Sequence, residues 1–324
     1  MRAVRCHELA GPASLRVDDL EEPTPGAGEV LIDVRAAGVN FPDLLITQGK
    51  YQFKPDLPFI PGGEAAGVVR AVGAGVGSVS VGDRVAATML HGAFAERLVV
   101  PEMATAKLPD GVSFEVGAAT LLTYLTTLHA LIDRASIAAG ETLLVLGAAG
   151  GVGTAAVELG KVLGARVIAA ASSASKVDFC KAHGADEGIC YATEDLKERT
   201  KALTSGHGAD VVYDPIGGAY AEQALRAIAW QGRYLVVGFA SGEIPKIPLN
   251  LVLLKGCQIA GVFWGSFAMR EPAKNRAHAA QLFSWVAAGK LRPHVDEAIP
   301  FARAANALDK IARRQVKGKL VLVP

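Results

Sequence analysis

The segment Leu143–Gly153, LLVLGAAGGVG, decides the fold of this chain. An apolar run of strand character enters a glycine-rich turn, and the residues from Val152 onward, VGTAAVELGKVLG, have the pattern of an amphipathic helix. Glycines in such a turn let backbone amides approach a pyrophosphate closely, and the helix N-terminus adds partial positive charge. Because strand and helix both flank the glycines, we predict that Gly150, Gly151 and Val152 bind the pyrophosphate of a dinucleotide.

Beyond this turn, strand-like and helix-like segments alternate as far as the stretch RYLVVGF that ends at Phe239. Apolar strands that alternate with helices are typical of a parallel sheet covered on both faces. The fold class is therefore predicted to be α/β, with a doubly wound Rossmann sheet. The apolar run Leu249–Phe263 predicts further strands.

The first third of the chain has a different pattern, in which short β-like runs such as Glu29–Ala36 are separated by Gly and Pro. This pattern predicts a smaller, mostly β domain. The terminal run Leu320–Val323 is too short to fold alone, so we expect it to complete that domain. The predicted organisation is a catalytic domain at 1–121, completed by 289–324, with a Rossmann domain at 122–288.

Composition and charge exclude several classes of protein. Of the 324 residues, 51% are hydrophobic and 20% charged, which favours a compact globular enzyme over a disordered chain. The net charge of +1 argues against a nucleic-acid or anionic membrane partner. The N-terminus lacks a secretory apolar region and no run is long enough to span a bilayer, so we expect a cytoplasmic protein.

The choice of nicotinamide cofactor depends on residues about 20 positions beyond the glycines, where an NAD site places Asp or Glu on the ribose 2′-hydroxyl. Here Ser172, Ser173 and Lys176 follow the next strand, with no carboxylate among them. Hydroxyls and a cation bind a 2′-phosphate, which favours NADPH. The alternative is that Lys176 is an ordinary solvated lysine at the start of a helix.

Five motifs together resemble one known family, the zinc-independent, ζ-crystallin-like quinone oxidoreductases of the medium-chain dehydrogenase/reductase superfamily, in their quinone oxidoreductase-like branch. The motifs are AAGVNFPDLLITQGKY (Ala36–Tyr51), PFIPGGEAAGVV (Pro58–Val69), VGDRV (Val81–Val85), GAAGGVG (Gly147–Gly153) and the closing KGKLVL. The resemblance covers essentially the whole chain. It implies a GroES-like catalytic domain formed by both chain ends, with a Rossmann domain between them.

The resemblance also implies further NADPH contacts by motif position. Thr126 matches a threonine near the nicotinamide, Tyr191 a tyrosine near the adenosine phosphate, and Arg314 a second cation for the 2′-phosphate. The remaining contacts flank the nicotinamide: Gly238, Phe239, Phe263 and Trp264. One departure is Ala149, where the family often has serine; it removes a hydroxyl and leaves the backbone contacts intact.

No metal site is expected. The related alcohol dehydrogenases hold catalytic zinc with a Cys and a His, and the matching positions here are Asn40 and Gly63, which supply neither thiolate nor imidazole. Met103–Pro109 contains no Cys for a structural zinc lobe. Without a Lewis acid to stabilise an alkoxide, reduction of an activated acceptor remains as the expected chemistry.

In the predicted reaction NADPH passes hydride to a quinone or α,β-unsaturated carbonyl compound, and the protein chiefly positions the reactants. Asn40 is a candidate to hydrogen-bond the acceptor carbonyl or the nicotinamide ribose, with Asp43 holding it. Tyr51 is a candidate proton donor to the reduced oxygen. Alternatively, water supplies that proton and Tyr51 only shapes the pocket.

Two other functions stay open: reduction of the carbon–carbon double bond of enones or enoyl thioesters, and a non-enzymatic, NADPH-binding role as a crystallin-like or RNA-binding protein. The near-neutral charge disfavours RNA binding. A homodimer is also expected, because Leu249–Leu254 and Gln258–Val262 have the pattern of an edge strand pair that a second subunit can join.

Overall fold

The computed structural model describes the whole chain, Met1–Pro324. Its contacts define two compact units, Met1–Leu122 with Pro272–Pro324, and Thr123–Glu271. The strands, in chain order, are β1 (Arg2–Cys6), β2 (Leu15–Asp19), β3 (Glu29–Val39), β4 (Glu64–Val72), β5 (Arg84–Thr88), β6 (Arg97–Pro101), β7 (Thr105–Lys107), β8 (Thr142–Leu146), β9 (Arg166–Ala171), β10 (Glu187–Cys190), β11 (Ala209–Asp214), β12 (Ile228–Val236), β13 (Gln258–Gly261), β14 (Val295–Pro300) and β15 (Lys319–Val323).

The α-helices are α1 (Phe41–Thr47), α2 (Phe114–Ala118), α3 (Leu121–Leu128), α4 (Gly151–Val162), α5 (Ala174–Ala182), α6 (Leu196–Leu203), α7 (Ala219–Arg226), α8 (Leu249–Lys255), α9 (Trp264–Arg270), α10 (Pro272–Ala287) and α11 (Ala304–Ala312). A π-helical stretch, His129–Arg134, continues α3. None of the helices combines the length and the apolar character that crossing a membrane requires.

The second unit is built on a six-stranded sheet in the order β10-β9-β8-β11-β12-β13, with every neighbouring pair parallel. This is the strand order of a doubly wound dinucleotide-binding sheet, in which ligands bind beyond the carboxyl ends of the central strands. The central strand β8 is completely buried, as its unbroken apolar sequence predicts. The predicted α/β class is confirmed.

The first unit contains a seven-stranded, mostly antiparallel sheet in the order β14-β15-β3-β4-β5-β7, with β6 paired to β3. The last strand of the chain, β15, lies between β14 and β3, with Leu320 opposite Val39. Its side chains join a core with β3, β4 and α11. This pairing brings residue 319 next to the end of β3, where Asn40 begins the following helix.

The prediction of strands throughout Leu249–Phe263 is wrong for its first half. Pro248 precedes a helix, α8, and Gly256 ends it in the left-handed conformation with a φ of 54°. Only Gln258–Gly261 forms a strand, at the edge of the parallel sheet. A short apolar run does not distinguish strand from helix by its period, and the flanking Pro and Gly decide the outcome here.

The boundary drawn at residue 288 also differs from the structure, in which the second unit ends at Glu271. Helix α10 begins at Pro272 and belongs with the first unit, where it packs against β7. Its apolar residues resemble those of the preceding Rossmann helices, so the sequence pattern gives no sign of the change of unit.

Candidate active site

The glycine-rich turn connects β8 to α4 and depends on two of its glycines for its own geometry. Gly147 has a φ of 58°, in the left-handed region, and a Cβ added there would lie 2.4 Å from Ile216 Cδ1. A Cβ at Gly153 would lie 2.3 Å from the carbonyl oxygen of Gly147. These two glycines therefore permit the tight turn and the close packing of helix on strand.

Gly150, the N-cap of α4, has a different position in the turn. Its φ is −83°, and a Cβ there would meet only the carbonyl oxygen of Gly147, at 3.4 Å. The fold of the turn therefore tolerates a side chain at this position. That side chain would, however, block a ligand that approaches the backbone from outside. This open, side-chain-free surface fits a pyrophosphate.

The first turn of α4 supplies amides and a positive helix end beside that surface. The amides of Gly151, Val152 and Gly153 lie in the first turn, where no intrahelical acceptor exists. No acidic residue in this turn offsets the helix dipole. The arrangement has the donors and the charge that bind a phosphate.

The residues that follow β9 form the start of α5. Ser173 is its N-cap and accepts a hydrogen bond from the Lys176 amide at 3.4 Å, while Ser172 is exposed just before it. The first turn of α5 contains no acidic residue. Tyr191 directly follows the neighbouring strand β10, and its ring lies 4.3 Å from that of Tyr220. Two serine hydroxyls, a lysine and a tyrosine ring thus follow the two strands at one edge of the sheet. An anionic group bound there would not be repelled by a carboxylate in the first turn of α5.

Helix α3 carries Thr126 and is tied to the glycine-turn helix by buried polar contacts. Thr127 Oγ1 lies 2.8 Å from Tyr213 Oη on β11, and Tyr124 Oη donates to Glu158 Oε2 on α4 at 2.9 Å. Burial is the main cause that raises the pKa of Tyr124, so its phenol remains the donor. These contacts fix the position of Thr126 relative to the pyrophosphate surface.

The loop after β12 contains Gly238 and Phe239. The Gly238 amide donates to the carbonyl oxygen of Asp214 at 3.3 Å, and Phe239 is 37% exposed. Tyr234 Oη donates to Asp214 Oδ2 at 2.5 Å, and burial raises the pKa of that carboxyl. An apolar cavity of about 140 Å³ lies behind this loop, lined by Asp214, Ala221, Leu225, Tyr234, Val236, Phe239, Ile244, Pro245, Ile247 and Ile259.

Phe263 and Trp264 lie at the start of α9, and Phe263 is 60% exposed. The middle of the same helix packs on the second unit, where the ring of Phe267 stacks on buried His129 with centroids 4.0 Å apart. His129 in turn bonds Asp133 at 2.8 Å. The second unit thus contains every predicted cofactor residue except Arg314, which lies in the first unit just beyond α11 with a φ of 56°.

In the first unit, four polar side chains meet in the interior: Asn40, Asp43, Glu64 and Lys319, each no more than 4% exposed. We call them the buried polar cluster. Lys319 Nζ donates to Asn40 Oδ1 at 2.5 Å, to Glu64 Oε1 at 2.6 Å and to the Val39 carbonyl at 3.0 Å. Asn40 Nδ2 donates to Glu64 Oε1 at 2.8 Å and to the Gly38 carbonyl at 3.4 Å.

Asp43 holds Asn40 through the backbone, since its Oδ2 accepts the Asn40 amide at 2.7 Å at the start of α1. Burial raises the pKa of Asp43 to about 7, against the opposing effects of the Asn40 amide and of Lys319. Burial, and then the charge of Asp43, raise the pKa of Tyr51. The phenol of Tyr51 is therefore protonated at neutral pH and is able to donate.

Two members of the buried polar cluster, Glu64 and Lys319, were not among the predicted site residues. Each is a charged residue at the first position of an apolar strand, in EAAGVV and KLVLV. A charge at such a position needs a partner if the strand is buried. This pattern indicates that both residues need a buried partner, but it does not predict that they pair with each other.

Family models match both parts of the chain. The model described as alcohol dehydrogenase GroES-like domain matches residues 26–110, and the model described as zinc-binding dehydrogenase matches residues 151–284. The first confirms the GroES-like domain that the sequence motifs imply.

Curated relatives and solved structures extend the similarity over the whole chain. The chain is 39% identical over 324 residues to the quinone oxidoreductase-like protein 2 homolog of Nematostella vectensis, which covers 99% of this chain and 88% of the relative. It is 38% identical to the quinone oxidoreductase of Pseudomonas aeruginosa over 97% of each chain. The Escherichia coli quinone oxidoreductase complexed with NADPH is 31% identical, with a TM-score of 0.94 over 100% of both chains. The chain therefore belongs to the quinone oxidoreductase family of the medium-chain dehydrogenase/reductase superfamily.

Proposed function

We propose that this protein is an NADPH-dependent reductase that transfers hydride to quinones or related activated carbonyl acceptors without zinc. The observation that carries the proposal is the second unit's combination of an amide cradle at Gly150–Val152 with a pocket of Ser172, Ser173 and Lys176 at an acid-free helix start. The E. coli quinone oxidoreductase, similar over its whole length, is described as an NADPH complex. This likeness supports the choice of cofactor.

When bound, NADPH supplies the hydride, and the chain's own residues hold the two ends of the molecule. Gly150, Gly151 and Val152 bind the pyrophosphate through the backbone. On the second unit, the 2′-phosphate is bound by Ser172, Ser173, Lys176 and Tyr191. The nicotinamide end is bounded by Thr126, Gly238, Phe239, Phe263 and Trp264. The three aromatic side chains among them exclude water from the reacting atoms.

Zinc is left out of the proposed reaction because the residues at the expected zinc position are unsuitable ligands. Gly63 has no side chain, and the Asn40 oxygen already accepts from the Lys319 ammonium. A divalent cation beside that ammonium would meet repulsion from it and would find neither the thiolate nor the imidazole that a tetrahedral site uses. The buried polar cluster therefore does not fit a zinc ion.

Reduction of a quinone by hydride leaves one negative charge on oxygen, and a single proton then completes the hydroquinone. Tyr51, a phenol whose pKa burial raises further above neutral, donates that proton to the oxygen. Asp43, with a pKa of about 7, is largely neutral below that pH and then adds little negative charge near the developing anion.

We also propose a homodimer. The edge strand Gln258–Gly261 has a free side in the sheet order, and α8 beside it carries Leu249, Leu253 and Leu254, which are 75%, 80% and 69% exposed. Three exposed leucines on one short helix form an apolar surface, and its burial against a second copy of the chain would be favourable. Sedimentation that finds only monomer at micromolar concentration would contradict the dimer.

The test of the function compares initial rates with NADPH and NADH for 1,2-naphthoquinone, an enone and an enoyl thioester. We expect the quinone with NADPH to give the highest kcat/KM, and Lys176→Ala to raise the KM for NADPH about tenfold without changing that for NADH. Lys181→Ala is the matched control, since it removes an exposed lysine from the far end of the same helix. Higher kcat/KM with the enone or the thioester than with the quinone would overturn the substrate class.

A further inference from the structure

We infer that the apolar cavity behind the loop after β12 is a second ligand site, which binds one uncharged molecule the size of a single aromatic ring. The cavity has a volume of about 140 Å³. Its walls come from β11, α7, β12, β13 and residues 239–247, all of which belong to the second unit. The inference therefore depends neither on the first unit nor on the proposed hydride transfer.

The loop that covers the cavity is fixed to the turn between β11 and α7. Three backbone hydrogen bonds of 3.0, 2.9 and 3.1 Å join the two segments: Ala240 amide to Pro215 oxygen, Ser241 amide to Ile216 oxygen, and Gly218 amide to Glu243 oxygen. Gly217 and Gly218 have φ values of 66° and 61°, and a Cβ at Gly217 would lie 2.9 Å from Phe239 Cδ1. Loop and turn are thus already in close contact, so the loop does not move inward to fill the cavity.

The cavity has a buried inner wall and an opening to solvent. Ala221 and Leu225 on α7 are fully buried, and Tyr234 on β12 is nearly so. Two other lining residues are exposed to solvent, Ile244 by 72% and Ile259 by 39%. A ligand that enters past these two isoleucines therefore reaches an apolar wall that is shielded from water, where burial of its own apolar surface is favourable.

The polar groups of the wall are satisfied within the protein. Asp214 Oδ1 accepts the amides of Ile216 and Gly217 at 2.7 and 2.9 Å. Asp214 Oδ2 accepts the phenol of Tyr234 at 2.5 Å. The lining residues include no lysine, arginine or histidine. A charged ligand would lose its hydration here without gaining an ion partner of its own, so the site selects an uncharged molecule.

The size and shape of the cavity select a single ring. Apolar protein cavities of about 150 Å³ bind one molecule of benzene. The rings of Tyr234 and Phe239 are part of the wall, and aromatic rings pack favourably on one another, face to edge or with an offset. Two fused rings exceed the space. Toluene is therefore a suitable probe, with benzoate as a charged ring of similar size and naphthalene as a larger uncharged one.

Isothermal calorimetry of the full chain with these three probes tests the site. We expect saturable one-to-one binding of toluene, and binding of benzoate and naphthalene that is weaker by about tenfold or more. Ala221→Leu adds carbons to the buried wall and should weaken toluene binding about tenfold or more. Ala219→Leu is the matched control, because it adds the same side chain at an exposed position of the same helix; its Kd should stay within about twofold of native.

Val236→Ala keeps the test decisive if Ala221→Leu does not fold. It removes two carbons from a half-buried part of the wall, so the ratio of propylbenzene affinity to toluene affinity should rise about fivefold, and an unchanged ratio would contradict the inference. Toluene that binds Ala221→Leu as tightly as native, or that competes with 1,2-naphthoquinone, would lie at another site and overturn it. Folded native chain that gives no saturable heat with toluene would overturn it too, because the cavity is then filled by the chain itself or by a second copy.

Discussion

The glycine-rich turn of the second unit and the buried polar cluster of the first reach their geometry in opposite ways. The turn, with the end of β8 and the start of α4, occupies the eleven consecutive residues Leu143–Gly153 and uses backbone amides, with no charged side chain. The cluster joins residues that are 3 to 279 positions apart, and every bond in it involves a side chain. A substitution in the turn therefore changes stability or binding because an added side chain crowds the backbone. A substitution in the cluster changes stability because it leaves a buried charge without its partner.

The largest expected effect breaks the cluster by removing one ion. Lys319→Met leaves the Glu64 carboxylate buried without its cation, and we expect the free energy of unfolding to fall by about 3–5 kcal/mol. Lys319→Met/Glu64→Gln should recover a large part of that loss, because no unpaired charge remains. Urea denaturation measures both. Equal stability of the single and the double variant would show that charge pairing does not hold this region.

The next prediction concerns Asp43, whose carboxyl has a pKa of about 7 in the folded chain against an ordinary 3.8. Between these values the folded state holds one more proton than the unfolded state, so the free energy of unfolding should fall as the pH rises from about 4 to 7. The full contribution is at most about 4 kcal/mol.

Asp43→Asn removes this titration. The difference in the free energy of unfolding between the native chain and the variant, measured by denaturation across that pH range, therefore isolates the contribution of Asp43. Asp214, whose pKa is also raised by burial, contributes to both proteins and cancels. A difference that does not change with pH would mean that Asp43 titrates as an exposed carboxyl.

Two alanine substitutions in the glycine turn separate folding from binding. Gly153→Ala places a methyl 2.3 Å from a backbone oxygen and should destabilise the fold by about 1–3 kcal/mol. Gly150→Ala meets only one atom, at 3.4 Å, so stability should change little while the Kd for NADPH rises about tenfold or more. Thermal melts and fluorescence titration provide the two measurements. Unchanged NADPH affinity in Gly150→Ala would argue that the pyrophosphate lies elsewhere.

The smallest expected effect concerns Ser173, which has a structural role and a proposed binding role at once. As N-cap of α5 it should contribute about 1 kcal/mol to stability, lost in Ser173→Ala. Ser175→Ala, two residues further on, should stay within about 0.5 kcal/mol of native. Melting with and without NADPH then tells the two roles apart, since only the binding role enlarges the loss in the presence of the cofactor.

Local signals in the sequence were sufficient for most of the second unit. The strand, the glycines and the helix of the turn are contiguous, and the alternation that follows is regular, so the parallel sheet was predictable. The helix Leu249–Lys255 was not predictable, because an apolar run of that length is equally compatible with a strand and a helix. The helix ends where Gly256 adopts the left-handed conformation.

The candidate site was only partly predictable for a different reason. Asn40 and Asp43 lie three positions apart at a helix start, and motif spacing draws attention to both. Glu64 and Lys319 come together with them only because β15 pairs with β3 and β3 with β4. Strand pairing between the two ends of the chain leaves no local pattern, so their contacts became visible only in the fold.

The central claim is that an amide cradle beside an acid-free, lysine-containing pocket binds NADPH. Isothermal calorimetry of NADPH and NADH with the native chain, Lys176→Ala and Lys181→Ala tests it most directly. We expect saturable one-to-one binding of NADPH, weaker binding of NADH, and a loss of this difference in affinity in Lys176→Ala alone. Folded protein that gives no saturable heat with NADPH, or that binds NADH equally well, would contradict it.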